Sequence, residues 1–156
     1  MASGLDLRKK EDYARARAAV EAASRAKLTI IVHANYPRSK RGDEIEKLKE
    51  LIEEFPEVRW IIGHLFGAEF RGLEDLKHPR FLVEISVAPL WMNTPEKRAA
   101  LVNTIRKVGI RHFVFGSDWP VIHPAETLKA LRALPLSEEE LAAILYRNAE
   151  QLGDLF

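Results

Sequence analysis

A short apolar run that ends in glycine and histidine determines how this chain folds: residues 58–64 read VRWIIGH. Three similar runs occupy residues 28–34 (LTIIVHA), 81–87 (FLVEISV) and 110–115 (IRHFVF). Short runs rich in Ile, Val and Phe are typical of strands in a parallel sheet. The run at 28–34 is almost continuously apolar, so we expect that strand to be buried on both faces.

Segments with helical patterns lie before, between and after these runs. Thr94 precedes a proline at the first helical position, and Ser137 forms a capping box with Glu140. The predicted helices cover residues 10–25, 43–54, 95–108, 124–134 and 138–152, and residues 72–76 are expected to form no more than a helical turn or two. This alternation predicts an α/β fold of four parallel βα units in a single domain, residues 1–156. The sheet is either doubly wound or half of a (β/α)8 TIM barrel.

Composition narrows the classes of protein to which the chain can belong. Its 156 residues are 47% hydrophobic and 30% charged, with a formal net charge of +1, as in an ordinary globular domain. The short basic run at residues 38–41 is expected to be a solvated loop, and no nucleic-acid or membrane partner is expected. The N-terminal residues contain no apolar leader, so we expect a cytoplasmic protein. Without cysteine, a metal site would need His, Asp or Glu.

Polar side chains stand at the ends of three of the four predicted strands. His33 ends the first strand, His64 ends the second, and Asp118 follows the fourth. In parallel α/β folds the ligand site lies beyond the carboxyl ends of the strands. Imidazole and carboxylate groups are ligands for a divalent ion, and a carboxylate beside a metal-activated water accepts its proton. We therefore predict a metal site with Asp118 as ligand and proton acceptor.

Other polar residues are weaker candidates. Glu84 and Ser86 lie inside the third predicted strand and are less informative. His78 and His112 are expected to be structural or solvent-exposed, whereas His123 lies on the same side as the predicted site. A lone strand-end histidine is often structural, and a Gly-Ser-Asp sequence also occurs in ordinary turns. The metal hypothesis therefore depends on the three residues together.

The motifs resemble those in the C-terminal half of the amidohydrolase superfamily, in the branch of aminocarboxymuconate-semialdehyde decarboxylase. Residues 30–33 (IIVH), 55–67 (FPEVRWIIGHLFG) and 113–120 (FVFGSDWP) resemble the fifth, sixth and eighth barrel strands of that family, and residues 144–152 (ILYRNAEQL) its closing helix. The resemblance implies that His33 and Asp118 are ligands of Zn²⁺, or of Mn²⁺. It implies that His64 is either a ligand or a catalytic histidine.

The family begins its barrel with a His-x-His pair, and this chain contains none. Four parallel strands also leave two unpaired edges. We expect a homodimer, or a partner that supplies the missing half-barrel, with the first strand of a second copy beside the fourth strand. That strand would place His33 where the family has His-x-His, in a composite site.

The expected function is that of a metal-dependent hydrolase acting on a carbonyl-containing small molecule, with decarboxylase or lactonase activity within the same branch. The alternative is a catalytically incomplete half-barrel or scaffold. A phosphate-binding domain is disfavoured, because no glycine-rich loop follows any predicted strand.

Overall fold

The computed structural model describes residues 5–33, 41–66 and 81–150. Ten helices and strands alternate along these segments, with 3-10 turns at Gly63–Phe66 and Ile110–His112. In chain order the elements are α1 (Lys10–Arg25), β1 (Thr29–Val32), α2 (Arg41–Glu54), β2 (Arg59–Ile62), β3 (Phe81–Glu84), α3 (Ala88–Trp91), α4 (Pro95–Val108), β4 (Phe113–Val114), α5 (Pro124–Arg132) and α6 (Glu138–Leu145).

The four strands form one parallel sheet in the sequential order β1-β2-β3-β4. A doubly wound sheet reverses its strand order at a switch point, where its ligand binds. The sheet described here has no such reversal, as in a barrel, in which each strand follows its predecessor around the ring. The prediction of four parallel βα units is confirmed, and the sequential order favours a half-barrel over a doubly wound sheet.

Local sequence signals placed several helix ends correctly. Helix α1 covers the predicted residues. Thr94 caps α4 by accepting a hydrogen bond from the Lys97 N–H at 3.3 Å. The predicted capping box at the start of α6 is present, with reciprocal hydrogen bonds between Ser137 and Glu140. Helix α6 ends earlier than predicted, at Leu145, and the helical turn expected at residues 72–76 lies outside the described residues.

The core lies on one face of the sheet. Ile62, Val83 and Phe113 are register neighbours on β2, β3 and β4, and all three are fully buried. They share a hydrophobic cluster with apolar residues of α2 and α4, including Ile52 and Ile105. Burial of large apolar side chains is the dominant favourable term in folding. Among the described helices none has the length and apolar composition needed to cross a membrane.

The expectation that β1 is buried on both faces is wrong. Ile31 is 73% exposed, and Leu28, just before the strand, is 59% exposed. The physical reason is that β1 is an edge strand: among the described residues it pairs with β2 alone. Its apolar composition predicts a strand that other elements bury, but the described part of the chain contains no element that buries Ile31.

Strand β4 is shorter than predicted, and its outer edge is occupied. The Ile85 N–H donates to the Val114 carbonyl at 3.1 Å, so the backbone groups of Phe113 and Phe115 point away from β3. There the Asn148 Nδ2 donates to the Phe113 carbonyl at 2.8 Å, and the Phe115 N–H donates to the Ile144 carbonyl at 2.8 Å. Residues that follow β4 in the chain therefore pair with the backbone groups of Phe113 and Phe115 at this edge. The exposed apolar surface lies at the other edge, on β1.

An ion pair between α4 and α6 gives stability a predictable pH dependence. Arg106 contacts both carboxylate oxygens of Glu140, at 2.7 and 2.9 Å. These bonds, followed by one from the Ser137 backbone N–H, lower the pKa of Glu140 from 4.5 to about 2. A carboxyl with a lowered folded-state pKa stabilises the protein above its unfolded pKa, and this contribution is lost as pH falls from about 4.5 towards 2.

We predict that Glu140→Gln lowers the free energy of unfolding by about 0.5–1 kcal/mol at pH 7. Glutamine can still form the capping box, so the change isolates the charge. The deficit should shrink between about pH 4.5 and pH 2, as the native carboxylate is protonated. Urea melts at several pH values measure this, with Glu139→Gln on the same helical turn as control. A deficit independent of pH would contradict the prediction.

Candidate active site at the carboxyl edge of the sheet

Three predicted site residues lie at the same edge of the sheet. His33 directly follows β1, His64 lies in the turn after β2, and Asp118 lies in the loop after β4. Because all four strands are parallel, their carboxyl ends meet at one edge. The structure therefore brings together side chains that are up to 85 positions apart in the sequence, from His33 to Asp118.

The two histidines are in direct contact. The Nε2 atom of His64 lies 3.1 Å from the Nδ1 atom of His33. Their rings meet edge to face, with centroids 4.7 Å apart. His64 is buried and His33 is exposed, so the pair extends from the interior of the sheet edge to its surface.

Asp118 approaches the same imidazole. Its Oδ1 lies 3.9 Å from the His64 Nε2. The Asp118 backbone has a φ of +64°, in the left-handed region that Asp adopts more readily than most residues. His64 and Leu65 also have positive φ values, both 55°. The backbone thus turns sharply at His64, after β2, and at Asp118, after β4, and these two residues direct their side chains into the site.

Two residues that the sequence analysis treated as weak candidates complete the cluster. The Ser86 Oγ lies 2.8 Å from the His64 Nδ1. Glu84 Oε1 accepts a hydrogen bond from the Ser86 N–H at 2.7 Å, and Oε2 accepts one from the His64 N–H at 3.4 Å. Strand β3 ends at Glu84 rather than extending to residue 87, so both residues belong to a strand end. The sequence signal for this part of the site was the presence of two polar residues, Glu84 and Ser86, in an otherwise apolar run.

Two glycines permit this close packing. A Cβ at Gly116 would overlap the Glu84 side chain, lying 2.6 Å from its carboxyl carbon. A Cβ at Gly63 would lie 3.3 Å from the Val32 carbonyl oxygen, a tight but less severe contact. Glu84 therefore occupies the space that a side chain at position 116 would need.

The other histidines lie outside this cluster or outside the described residues. His112 is structural, as one of the two expectations had it: its Nδ1 lies 3.0 Å from the Phe81 carbonyl oxygen, and its ring stacks on the Phe81 ring. Burial lowers the pKa of His112. His123 accepts a hydrogen bond from the Ala125 N–H at 3.2 Å and so caps α5. His78 is not among the described residues.

The spacing of the donor atoms fits two ligands of one ion, but not a complete set. Two ligand atoms that are each about 2.1 Å from a shared ion lie within about 4.2 Å of one another. The distances of 3.1 Å between the histidines and 3.9 Å from His64 to Asp118 satisfy this limit. Within residues 5–33, 41–66 and 81–150, however, no group of three or more His, Asp or Glu side chains is arranged to hold a metal ion. His33, His64 and Asp118 are close together without surrounding a common point.

We predict that Gly116→Ala displaces Glu84 and lowers the free energy of unfolding by about 1–3 kcal/mol, because the added methyl group overpacks the site. Chemical denaturation measures the loss. The matched control is the same substitution in a Glu84→Ala background, where the space is free and the cost should be much smaller. An equal cost in both backgrounds would show that Glu84 is not the obstacle.

This chain spans about half the length of several solved structures that have a similar fold. An uncharacterised TIM-barrel protein from Bordetella bronchiseptica aligns with a TM-score of 0.68 and 15% identity, over 90% of this chain and 50% of that chain. Dihydroxybenzoic acid decarboxylase from Polaromonas sp. JS666, solved with bound manganese and the inhibitor 2-nitroresorcinol, aligns with a TM-score of 0.64 and 16% identity, over 91% and 54%. The 2,6-dihydroxybenzoate decarboxylase from Rhizobium aligns with a TM-score of 0.61 and 16% identity, over 89% of this chain and 55% of that chain. The chain therefore has the fold of about half a TIM barrel.

Sequence comparison identifies the family. No curated protein has a sequence that matches this chain. The sequence profile of the amidohydrolase family matches residues 2–153. Because that match covers nearly the whole sequence, this chain belongs to the amidohydrolase family.

Proposed function

We propose that this chain forms the metal-binding part of an amidohydrolase-type enzyme that acts on a carbonyl-containing small molecule. The observation that carries the proposal is the convergence of His33, His64 and Asp118 at the carboxyl edge of the sheet, with contacts of 3.1 and 3.9 Å. These three residues come from three different strand ends, as is usual for catalytic groups in TIM barrels.

His33 and Asp118 are proposed as ligands of a divalent ion, which would supply a Lewis acid and lower the pKa of a water molecule. Asp118 is also proposed as the proton acceptor. Its Oδ1 lies 3.9 Å from the His64 Nε2 and its side chain is about one-third exposed, which supports that role. His64 can be a ligand only with an unprotonated Nε2 and a hydrogen-bond donor only with a protonated one. Its role therefore depends on which ring nitrogen carries the hydrogen.

The proposed ion is Zn²⁺, with Mn²⁺ as the alternative. The imidazole of His33 and the carboxylate of Asp118 suit zinc, which is commonly bound by nitrogen and oxygen ligands in hydrolases. The Polaromonas decarboxylase was solved with manganese, which supports the alternative. In either case further ligands must come from outside the described residues or from another chain.

Hydrolysis is the first candidate reaction. A water molecule would add to the substrate carbonyl carbon, the bond from that carbon to the leaving group would break, and the leaving group would take a proton. Non-oxidative decarboxylation is the second candidate, and the names of the Rhizobium and Polaromonas proteins favour it. If the substrate carries a carboxylate group on a ring, the bond between the ring carbon and that carboxylate breaks, CO₂ leaves, and the ring carbon takes a proton. Because this chain spans about half the length of those proteins, we propose these activities for the completed protein.

We further propose that additional βα units, from a second copy or from a partner chain, complete the ring at β1. Support comes from the exposed Ile31 on this edge strand. A second copy that paired its β4 with β1 would have to displace the hydrogen bonds that Asn148 and Phe115 make at the outer edge of β4. Those bonds make β1 the more accessible of the two edges.

Metal content tests the proposed site directly. We predict near-stoichiometric zinc or manganese in the purified protein by elemental analysis, and its loss in the double variant Asp118→Asn with His33→Ala. His123→Ala is the matched control, because His123 caps a helix and should leave metal content unchanged. Metal-free protein whose stability is insensitive to a chelator would instead support the incomplete half-barrel.

Association through β1 is tested by one exposed side chain. We predict that wild-type protein sediments as an assembly larger than a monomer at micromolar concentration, and that Ile31→Lys dissociates it, because a charge on the contact surface must be desolvated. Ile31→Val preserves the apolar surface and should preserve the assembly. A wild-type protein that sediments as a monomer would overturn the proposal for a second copy.

A further inference from the structure

Ser86 holds an unusual position in this site. Its side chain is completely buried, and among the described residues its hydroxyl has one hydrogen-bond partner, the His64 Nδ1 at 2.8 Å. The Ser86 backbone N–H is already paired with Glu84 Oε1 at 2.7 Å. The hydroxyl hydrogen therefore has a single acceptor within reach in the described part of the chain.

Two arrangements of hydrogens are compatible with this contact. If the His64 Nδ1 carried the hydrogen, it would donate to Ser86 Oγ, and the hydroxyl hydrogen would be buried without an acceptor among residues 5–33, 41–66 and 81–150. An unsatisfied buried donor costs about 1–3 kcal/mol. If Ser86 donates to an unprotonated Nδ1, both groups are satisfied, and the hydrogen of the neutral imidazole lies on Nε2.

We infer that Ser86 is a positioning residue that donates its hydroxyl hydrogen to His64 Nδ1 and thereby holds the imidazole in the Nε2–H form. In that form Nε2–H donates towards the His33 Nδ1 at 3.1 Å. His64 then presents a hydrogen-bond donor to the site instead of a metal ligand.

Glu84 contacts both Ser86 and His64 and so fixes their relative position. Its carboxylate accepts one hydrogen bond from the Ser86 backbone and one from the His64 backbone, so it links the end of β3 to the turn after β2. The missing side chain of Gly116 leaves room for this carboxylate. The contact between Ser86 and His64 is thus supported by the partly exposed Glu84 carboxylate, which links two neighbouring strand ends.

The significance of this inference for catalysis rests on the proposed function, because a donor at His64 would contact the substrate or stabilise charge that develops on its oxygen. The tautomer itself does not depend on that function. It can be measured on chelator-treated protein without substrate.

The experiment is a long-range ¹H–¹⁵N correlation spectrum of the imidazoles at about pH 9, where ordinary histidines, with a pKa of about 6.5, are neutral. His112 is an internal reference. Its Nδ1 faces the Phe81 carbonyl, which only accepts, and its Nε2 accepts from Arg111, so it must be the Nδ1–H form. We expect His64 to show the opposite pattern, with a protonated Nε2. A His64 pattern equal to that of His112 would overturn the inference in the wild-type protein, whether or not any variant folds.

Ser86→Ala gives the second comparison. Without the hydroxyl, a charged acceptor remains 3.9 Å from Nδ1, the Glu84 Oε2, so the population should shift towards the Nδ1–H form. Ser86→Thr retains the hydroxyl and should restore the wild-type pattern, and Ser24→Ala removes an exposed hydroxyl as a control. An unchanged His64 pattern in folded Ser86→Ala would also overturn the inference. Failure of metal binding in the earlier test would leave this result unaffected, so the two failures are distinguishable.

Discussion

The parallel alignment of four adjacent strands is the constraint on which the rest of the structure depends. The strands are short, and register neighbours such as Ile62 and Val83 form a buried face of the sheet. Parallel pairing directs all carboxyl ends to one edge, and this alone makes neighbours of His33, His64 and Asp118. The same constraint leaves an edge at β1, where the exposed Ile31 marks a surface that a complete barrel would cover.

Much of the fold was predictable because its signals are local. The residues of α1, the Thr94 cap and the capping box at Ser137 depend on side chains within a few positions of one another. The four parallel βα units and the three strand-end residues followed from the alternation of apolar runs with helices. The sequential order of the strands, which separates a half-barrel from a doubly wound sheet, came from the structure. The exposure of β1 was not predictable, because it depends on whether another strand lies beside it, which composition does not reveal.

The inner part of the site was harder to predict for a related reason. Glu84 and Ser86 became significant only when the structure showed that β3 ends at Glu84 and lies beside the turn that holds His64. Their importance arises from contacts across strands and from the space left by Gly116. Sequence identified the residue types that carry chemistry, whereas tertiary packing identified the residues that orient them.

We propose that a divalent ion binds at the carboxyl edge of the sheet beside His33 and His64. Titration with Mn²⁺, followed by paramagnetic broadening of the histidine ring resonances, measures this binding. We expect selective broadening of His33 and His64 at low Mn²⁺, while His112, which packs against Phe81 at the start of β3, stays sharp. Equal broadening of all histidines, or broadening that spares His33 and His64, would show that no ion binds specifically at this edge.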